Sequence, residues 1–157
     1  MHEIKIEEYK DEMLEQLMQL FYDTVHTVNA RDYDPEQLER WAPSAPDIKS
    51  WKQRLKNNVC KVAVVDGAIA GFAELTDDAH IDTMYVHKDH QGKGVAKQLM
   101  NELLRLAAQR GYEELTTESS ITAKPLFESF GFEVTRVKRK LHNGKGFINY
   151  KMTKALQ

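Results

Sequence analysis

Val86-His87-Lys88-Asp89-His90-Gln91-Gly92-Lys93-Gly94-Val95-Ala96 is the stretch on which the reading of this chain turns. It follows a β-rich run, His80 to Val86, and opens into a segment whose apolar residues Val95, Leu99, Leu103 and Leu106 fall on one helical stripe. A strand that hands over to a glycine-containing loop and then to a helix leaves backbone N–H groups free, at the positive end of a helix dipole. That is a site for an anion. Gly92 and Gly94 let the backbone approach a ligand closely and take angles that other residues resist. The next β-rich run, Glu114 to Glu118, completes a β-α-β unit, with Gly111 placed as the C-terminal cap of the helix.

The flanking sequence has a different pattern. Upstream, Val59 to Val65, Ala68 to Leu75 and His80 to Val86 are β-rich runs separated by Asp66-Gly67 and Thr76-Asp77-Asp78, the chemistry of antiparallel turns. Downstream, Thr122 to Ser129 predicts a short helix. Phe132 to Leu141 and Phe147 to Lys154 predict a last hairpin around Asn143-Gly144. From Lys10 to about Val28, the spacing of Met13, Leu14, Leu17, Leu20, Phe21 and Val25 predicts a first helix. Pro35 and Pro46 each read as a first-turn proline opening a short helix, behind Asp34 and Ala45, with Trp41 and Trp51 inside. No linker, repeat or low-complexity stretch interrupts the chain. The expectation is an α/β (α+β) fold: one domain, residues 1–157, with a mixed, mostly antiparallel sheet and helices on both faces.

Bulk properties narrow the function. At 157 residues the chain is long enough to bury a core without disulfides or metal. Its 22 Lys+Arg against 24 Asp+Glu give a formal charge of -2, far from the basic excess of a protein that grips nucleic acid by its phosphates. The single cysteine, Cys60, forms no internal disulfide and suits a reducing compartment. Met1 to Lys10 is charged and lacks the apolar core of a secretory signal, and no run approaches the roughly 20 apolar residues of a membrane span. The expectation is a cytoplasmic protein with neither membrane nor nucleic-acid partners. The anion site itself is not a Walker loop, because His87 stands where its first glycine belongs and no Ser or Thr follows Gly92-Lys93. Nor is it a dinucleotide fingerprint, since Lys97 occupies the place of the third glycine. His87 and His90 have His-x-x-His spacing but lie on a loop with no third ligand in view, so no metal is expected.

Gln91, Gly94 and Ala96 fit the pyrophosphate loop of the GCN5-related N-acetyltransferases, which runs Gln or Arg, any two residues, Gly, any residue, Gly or Ala. The segment Ser120 to Phe132, ending Phe130-Gly131-Phe132, is similar to the second cofactor-side helix of that family. Asp32-Tyr33, Gln37, Trp41-Ala42-Pro43 and Glu118-Ser119-Ser120-Ile121-Thr122-Ala123 resemble its bacterial YafP-type subgroup. The resemblance covers most of the chain. It implies the family's single-domain fold and an enzyme that moves an acetyl group from acetyl-CoA to a primary amine, with no metal, acting as a monomer or homodimer. It implies that backbone N–H groups from Gln91 through Gly92, Lys93, Gly94 and Val95 to Ala96 hold the pyrophosphate. Lys93 and Lys97 would add charge there. Met84, Tyr85 and Val86 would pair with the pantetheine arm like an added strand.

Acetyl transfer from a thioester to an amine needs a neutral nitrogen, a polarised carbonyl and a proton for the departing thiolate. Family members commonly use a carboxylate on the strand before the loop, or water held by it, to take the amine proton. By strict alternation His80, Asp82, Met84 and Val86 share one face of that strand, and Ile81, Thr83 and Tyr85 the other. Asp82 is the first candidate, with His80 and Glu118 behind it. Where many members carry a proton-donating tyrosine, this chain has Phe127, so the thiolate leaves unassisted or through water, or takes its proton from another hydroxyl such as Ser119, Ser120 or Tyr150. Ser120 also stands where an asparagine often contacts the cofactor. The first two helices wall the acceptor side in this family, which makes Tyr22 and Trp41 acceptor-binding candidates. Cys60 reads as an inert core thiol rather than an acetyl carrier. The acceptor expected is a small amine. The rival expectation is a noncatalytic module that binds acetyl-CoA or a partner, and Phe127 is its support.

Overall fold

A computed structural model describes residues 3–142 and 144–156. Among the described residues, seven strands form one sheet in the order β1-β2-β3-β4-β5-β7-β6. They are β1 (Ile4–Glu8), β2 (Val59–Val65), β3 (Ala68–Leu75), β4 (His80–Val86), β5 (Glu114–Ser119), β6 (Glu133–His142) and β7 (Lys145–Ala155). Every neighbouring pair is antiparallel except β4 and β5, which run parallel on either side of the crossover helix. The helices are α1 (Leu14–Thr27), α2 (Pro35–Trp41), α3 (Ile48–Asn57), α4 (Val95–Gln109) and α5 (Lys124–Ser129). No described helix is long and apolar enough to cross a membrane.

Alternation in the strands sends apolar residues to both faces. Ala63, Val65, Ala73, Leu75, Ile81 and Leu115 pack under Val95, Leu99, Met100, Leu103 and Ala107 of α4, with Phe127 and Phe132 completing that layer. On the other face, Cys60, Val62 and Phe72 meet Leu14, Leu17 and Leu20 of α1 and Trp51 and Leu55 of α3. A third cluster, Val25, Tyr33, Leu38, Ala42 and Phe147, joins the end of α1 and α2 to β7.

Several local expectations shift. β1 was not expected. It pairs along β2, and Lys61 of β2, almost wholly buried, is ion-paired to Glu8 of β1 and to Glu102 of α4 at 3.2 Å. Pro35 opens α2 as expected: the Asp34 side chain accepts from Gln37 N at 2.7 Å and Asp34 N donates to Gln37 Oε1 at 2.9 Å, a capping box. Pro46 does not open α3. Asp47 does, accepting from Ser50 N at 3.1 Å, because an aspartate satisfies a free helix N–H and Ala45 cannot. The inner stripe of α4 ends on Ala107, and Leu106 is only half-buried. Asn143 of the expected last turn lies outside the described residues.

Candidate functional site

β4 and β5 pair only at their beginnings, His80 with Thr116 and Ile81 with Thr117. The strands then part, and a cleft of about 790 Å³ opens between Asp82–Val86 and Glu118–Ser120, closed at one end by the N-terminus of α4.

Hydrogen bonds fix the loop at that end. Val86 O accepts from Gln91 Nε2 at 2.7 Å and from Thr24 Oγ1 at 3.3 Å, and His87 N donates to Ala70 O at 2.7 Å. Gly92 and Gly94 lie in the left-handed region, at φ 73° and 85°. A Cβ on either would meet nothing within 4 Å, so the backbone angle rather than space calls for glycine. Gly94 is the N-cap of α4 and offers no side-chain cap, no acidic residue stands in the first turn, and the first helical bond is Gln98 N to Gly94 O at 3.1 Å. The N–H groups of Val95, Ala96 and Lys97 therefore have no intrahelical partner. Those three residues line the cleft with Gln91, Gly92 and Gly94, while Lys93 is not among the lining residues. The helix end comes this near because residue 71 is glycine: a Cβ there would stand 2.8 Å from Tyr85 O and 3.1 Å from Val95 Cγ1.

Strict alternation along β4 fails. Glu74 is opposite Thr83, and Leu75 is opposite Ile81, so Asp82 is the extra residue of a β-bulge. Ile81, Met84 and Val86 consequently share the α4 face, Thr83 and Tyr85 look toward α1 and α3, and Asp82 is exposed in the cleft wall. The face expected to hold Asp82 with Met84 and Val86 is corrected accordingly. His80, Asp82 and Glu118 nevertheless all line the same cleft. His80 Nδ1 and Thr116 Oγ1 are 2.8 Å apart, and Glu118 Oε1 accepts from Lys138 Nζ at 2.8 Å.

On the β5 wall, Ser119 is buried and donates to Met152 Sδ at 3.2 Å, and Ser120 Oγ accepts from Ala123 N at 3.1 Å. Phe127 sits at the cleft edge but is 4% exposed, packed edge-on against Phe132 with ring centres 5.4 Å apart. Tyr150 lies outside the cleft lining, under Lys124 Nζ at 5.4 Å.

The far end is aromatic. Trp41 lines it, edge-on to Tyr33 at 5.2 Å, and burial pushes the pKa of the Tyr85 phenol above its ordinary range. Tyr22 lies elsewhere. It stacks on His26 at 4.1 Å and lines a separate groove between α1 and residues 42–48.

Sequence reasoning missed a polar network here. Glu74 is fully buried and accepts from Arg54 Nε at 3.0 Å, Asn58 Nδ2 at 3.2 Å and Thr83 Oγ1 at 2.6 Å, while Arg54 stacks over Trp51 at 4.4 Å. Arg54 and Thr83 line the cleft, as do Phe21, Arg31 and Asn149. The available signal was Glu74 itself, a charged residue in the apolar run Ala68 to Leu75 that calls for buried partners. Cys60 is buried outside the cleft lining, where burial pushes its thiol pKa upward. Among the described residues no three His, Cys, Asp or Glu side chains are grouped as metal ligands, and the His87 and His90 rings lie 5.8 Å apart.

Comparison with known proteins places this geometry. The family described as "Acetyltransferase (GNAT) domain" matches residues 29–154. The uncharacterized N-acetyltransferase YafP of Escherichia coli K12 is 31% identical over 152 residues, which are 97% of this chain and 96% of that one. A GCN5-related N-acetyltransferase structure from Rhodopseudomonas palustris superposes with a TM-score of 0.94 at 32% identity, covering 97% of this chain and 95% of that one. The PaiA N-acetyltransferase of Thermoplasma acidophilum, solved in complex with coenzyme A, has a TM-score of 0.80 at 19% identity, covering 98% and 99% of the two chains, which is a likeness of fold.

Proposed function

The chain belongs to the GNAT acetyltransferase family, and we propose that it passes the acetyl group of acetyl-CoA directly to the primary amine of a small acceptor in the cytoplasm. One observation carries the reading: β4 and β5 separate immediately beside an uncapped helix N-terminus, so an unpaired strand edge and an anion site open into one cleft. That combination suits a long ligand with an extended amide arm and a pyrophosphate, which is the shape of coenzyme A. The fold neighbour solved with coenzyme A supports the same assignment.

In this reading the N–H groups of the Gln91 to Ala96 segment bind the pyrophosphate, with Lys97 and Lys93 adding positive charge. The edge of Met84, Tyr85 and Val86 takes the pantetheine arm as an added strand. The thioester then lies near the point where β4 and β5 part, between Asp82, His80 and Glu118. Asp82 accepts the amine proton, directly or through one water, because the bulge sets it exposed in the cleft wall. The attacking amine displaces the CoA thiolate. Phe127 supplies no proton, but a thiol with a pKa of about 8.5 leaves readily as an anion near neutral pH. The thiolate then takes its proton from water, either directly or relayed through the hydroxyl of Ser119 or Ser120 in the cleft wall, each of which regains a proton from water. Trp41 walls the acceptor end.

Thiol release from acetyl-CoA across a panel of primary amines tests the proposal. Direct transfer predicts turnover with at least one small amine and intersecting initial-velocity lines. Parallel lines, or an acetyl adduct trapped on Cys60, would contradict direct transfer. Release with no amine in the panel would contradict the assigned acceptor class.

A further inference from the structure

We infer that Arg54 anchors a carboxylate of the acceptor, so that the substrate is an amino acid or a close relative whose carboxylate lies a few bonds from the amine. The inference rests on the acetyl-transfer reading above and adds the acceptor's chemistry.

Arg54 lines the cleft and hydrogen-bonds through Nε alone, to Glu74 Oε1. Its Nη2 is buried without a partner, and Nη1 donates to no side chain or carbonyl among the described residues, which leaves Nη1 as the nitrogen open to a ligand. An arginine used for structure alone normally spends its planar fork on carboxylates or carbonyls. Here the plane is held from two directions, by the Glu74 carboxylate and by stacking on Trp51 at 4.4 Å, while the side chain keeps 34% of its surface exposed. Ordering the guanidinium in advance lowers the entropic cost of a ligand that docks on it. Glu74 is committed elsewhere, with Asn58 on the same oxygen and Thr83 on the other.

The position agrees with a short zwitterion. Arg54 and Thr83 hang from one carboxylate, and Thr83 is the residue after the bulged Asp82. The cleft thus presents a cation at Arg54 and a carboxylate at Asp82 on neighbouring points of its wall. The other charged groups lining it are Arg31, which adds positive charge, Lys97 at the α4 end, and Glu118, which pairs with Lys138. A carboxylate at Arg54 leaves the amine of the same small molecule within reach of Asp82 and the thioester. Glu74 acts as a positioning residue.

The test uses the full chain and measures thiol release with each proteinogenic amino acid paired with its own α-amide, alongside spermidine and a peptide amine. The inference predicts a preferred amino acid whose kcat/KM exceeds that of its amide by about tenfold or more, the size expected for losing one charge-assisted contact. Arg54→Lys satisfies Glu74 with its one ammonium and leaves no second nitrogen for the cleft, so acid and amide then fall within about threefold of each other. Acetyl-CoA affinity by calorimetry staying at the wild-type value reports that the variant is folded. Equal rates for acid and amide in the wild-type protein overturn the anchor without needing any variant. So does a preference that survives Arg54→Lys, or turnover of spermidine or peptide with no amino acid. In those cases acetyl transfer itself stands, whereas failure to bind acetyl-CoA overturns both.

Discussion

The Thr117 hydroxyl donates to the Ile81 carbonyl across 2.9 Å, a buried bond at the last paired position of β4 and β5. It stands at the fork from which the cleft opens. Thr117→Val keeps the shape and removes the donor, at an expected cost of about 1–2 kcal/mol. Thermal unfolding should show a Tm lower by a few degrees, and a mutant melting with the wild type would show that this bond does not hold the fork.

Gly71 sets how near α4 comes to the sheet. Gly71→Ala would place a methyl 2.8 Å from Tyr85 O, a backbone atom that cannot turn aside, and 3.1 Å from Val95 Cγ1. Overpacking of this kind costs about 1–3 kcal/mol, and the relaxation should push away the helix end proposed to hold phosphate. Both a lower Tm and weaker acetyl-CoA binding are expected. A lower Tm with unchanged affinity would separate the packing from the site.

Glu102 gives a stability signal in acid. Its pKa is lowered from 4.5 to about 2, chiefly by Arg105 and then by Lys61, against the opposing effect of burial. A carboxyl whose folded pKa is depressed contributes stability above its unfolded pKa and loses it as pH falls through the interval toward the folded value. Glu102→Gln should therefore cost about 1–2 kcal/mol at neutral pH, with the gap to wild type closing between about pH 4.5 and pH 2. Urea melts at several pH values would show it, and a gap independent of pH would contradict the pairing.

These features differ in how openly the sequence announces them. The spacing of Val95, Leu99 and Leu103, the Asp34-Pro35 start and the Asp66-Gly67 turn each follow from local chemistry, so α4, α2 and the β2-β3 hairpin were legible. β1 was not, because Ile4 and Ile6 give too short an alternation among Lys5, Glu7 and Glu8, and the strand gains its place through pairing and Lys61. The bulge at Asp82 leaves no mark in composition, yet it changes which β4 residues share a face. The loop from Gln91 to Ala96 was readable because glycines and a helix start are local signals. The Glu74 network was not, since Arg54, Asn58 and Thr83 come together only across three elements.

Asp82 is the residue proposed to accept the amine proton. Asp82→Asn should lower kcat about 10- to 1,000-fold at neutral pH while acetyl-CoA affinity holds, since general-base contributions fall near that range. Larger losses in His80→Ala or Glu118→Gln, or full turnover with a wild-type pH profile, would move the role elsewhere.

The claim on which everything else depends is that the uncapped end of α4 binds the pyrophosphate of acetyl-CoA. Calorimetric titration of acetyl-CoA into wild-type protein and Gly94→Asp measures it. Aspartate at this φ of 85° strains the N-cap and sets a negative charge where the phosphates belong. The account predicts binding by the wild type and a loss of about tenfold or more in the variant, with the fold intact by circular dichroism. Equal affinity in the two folded proteins would contradict it.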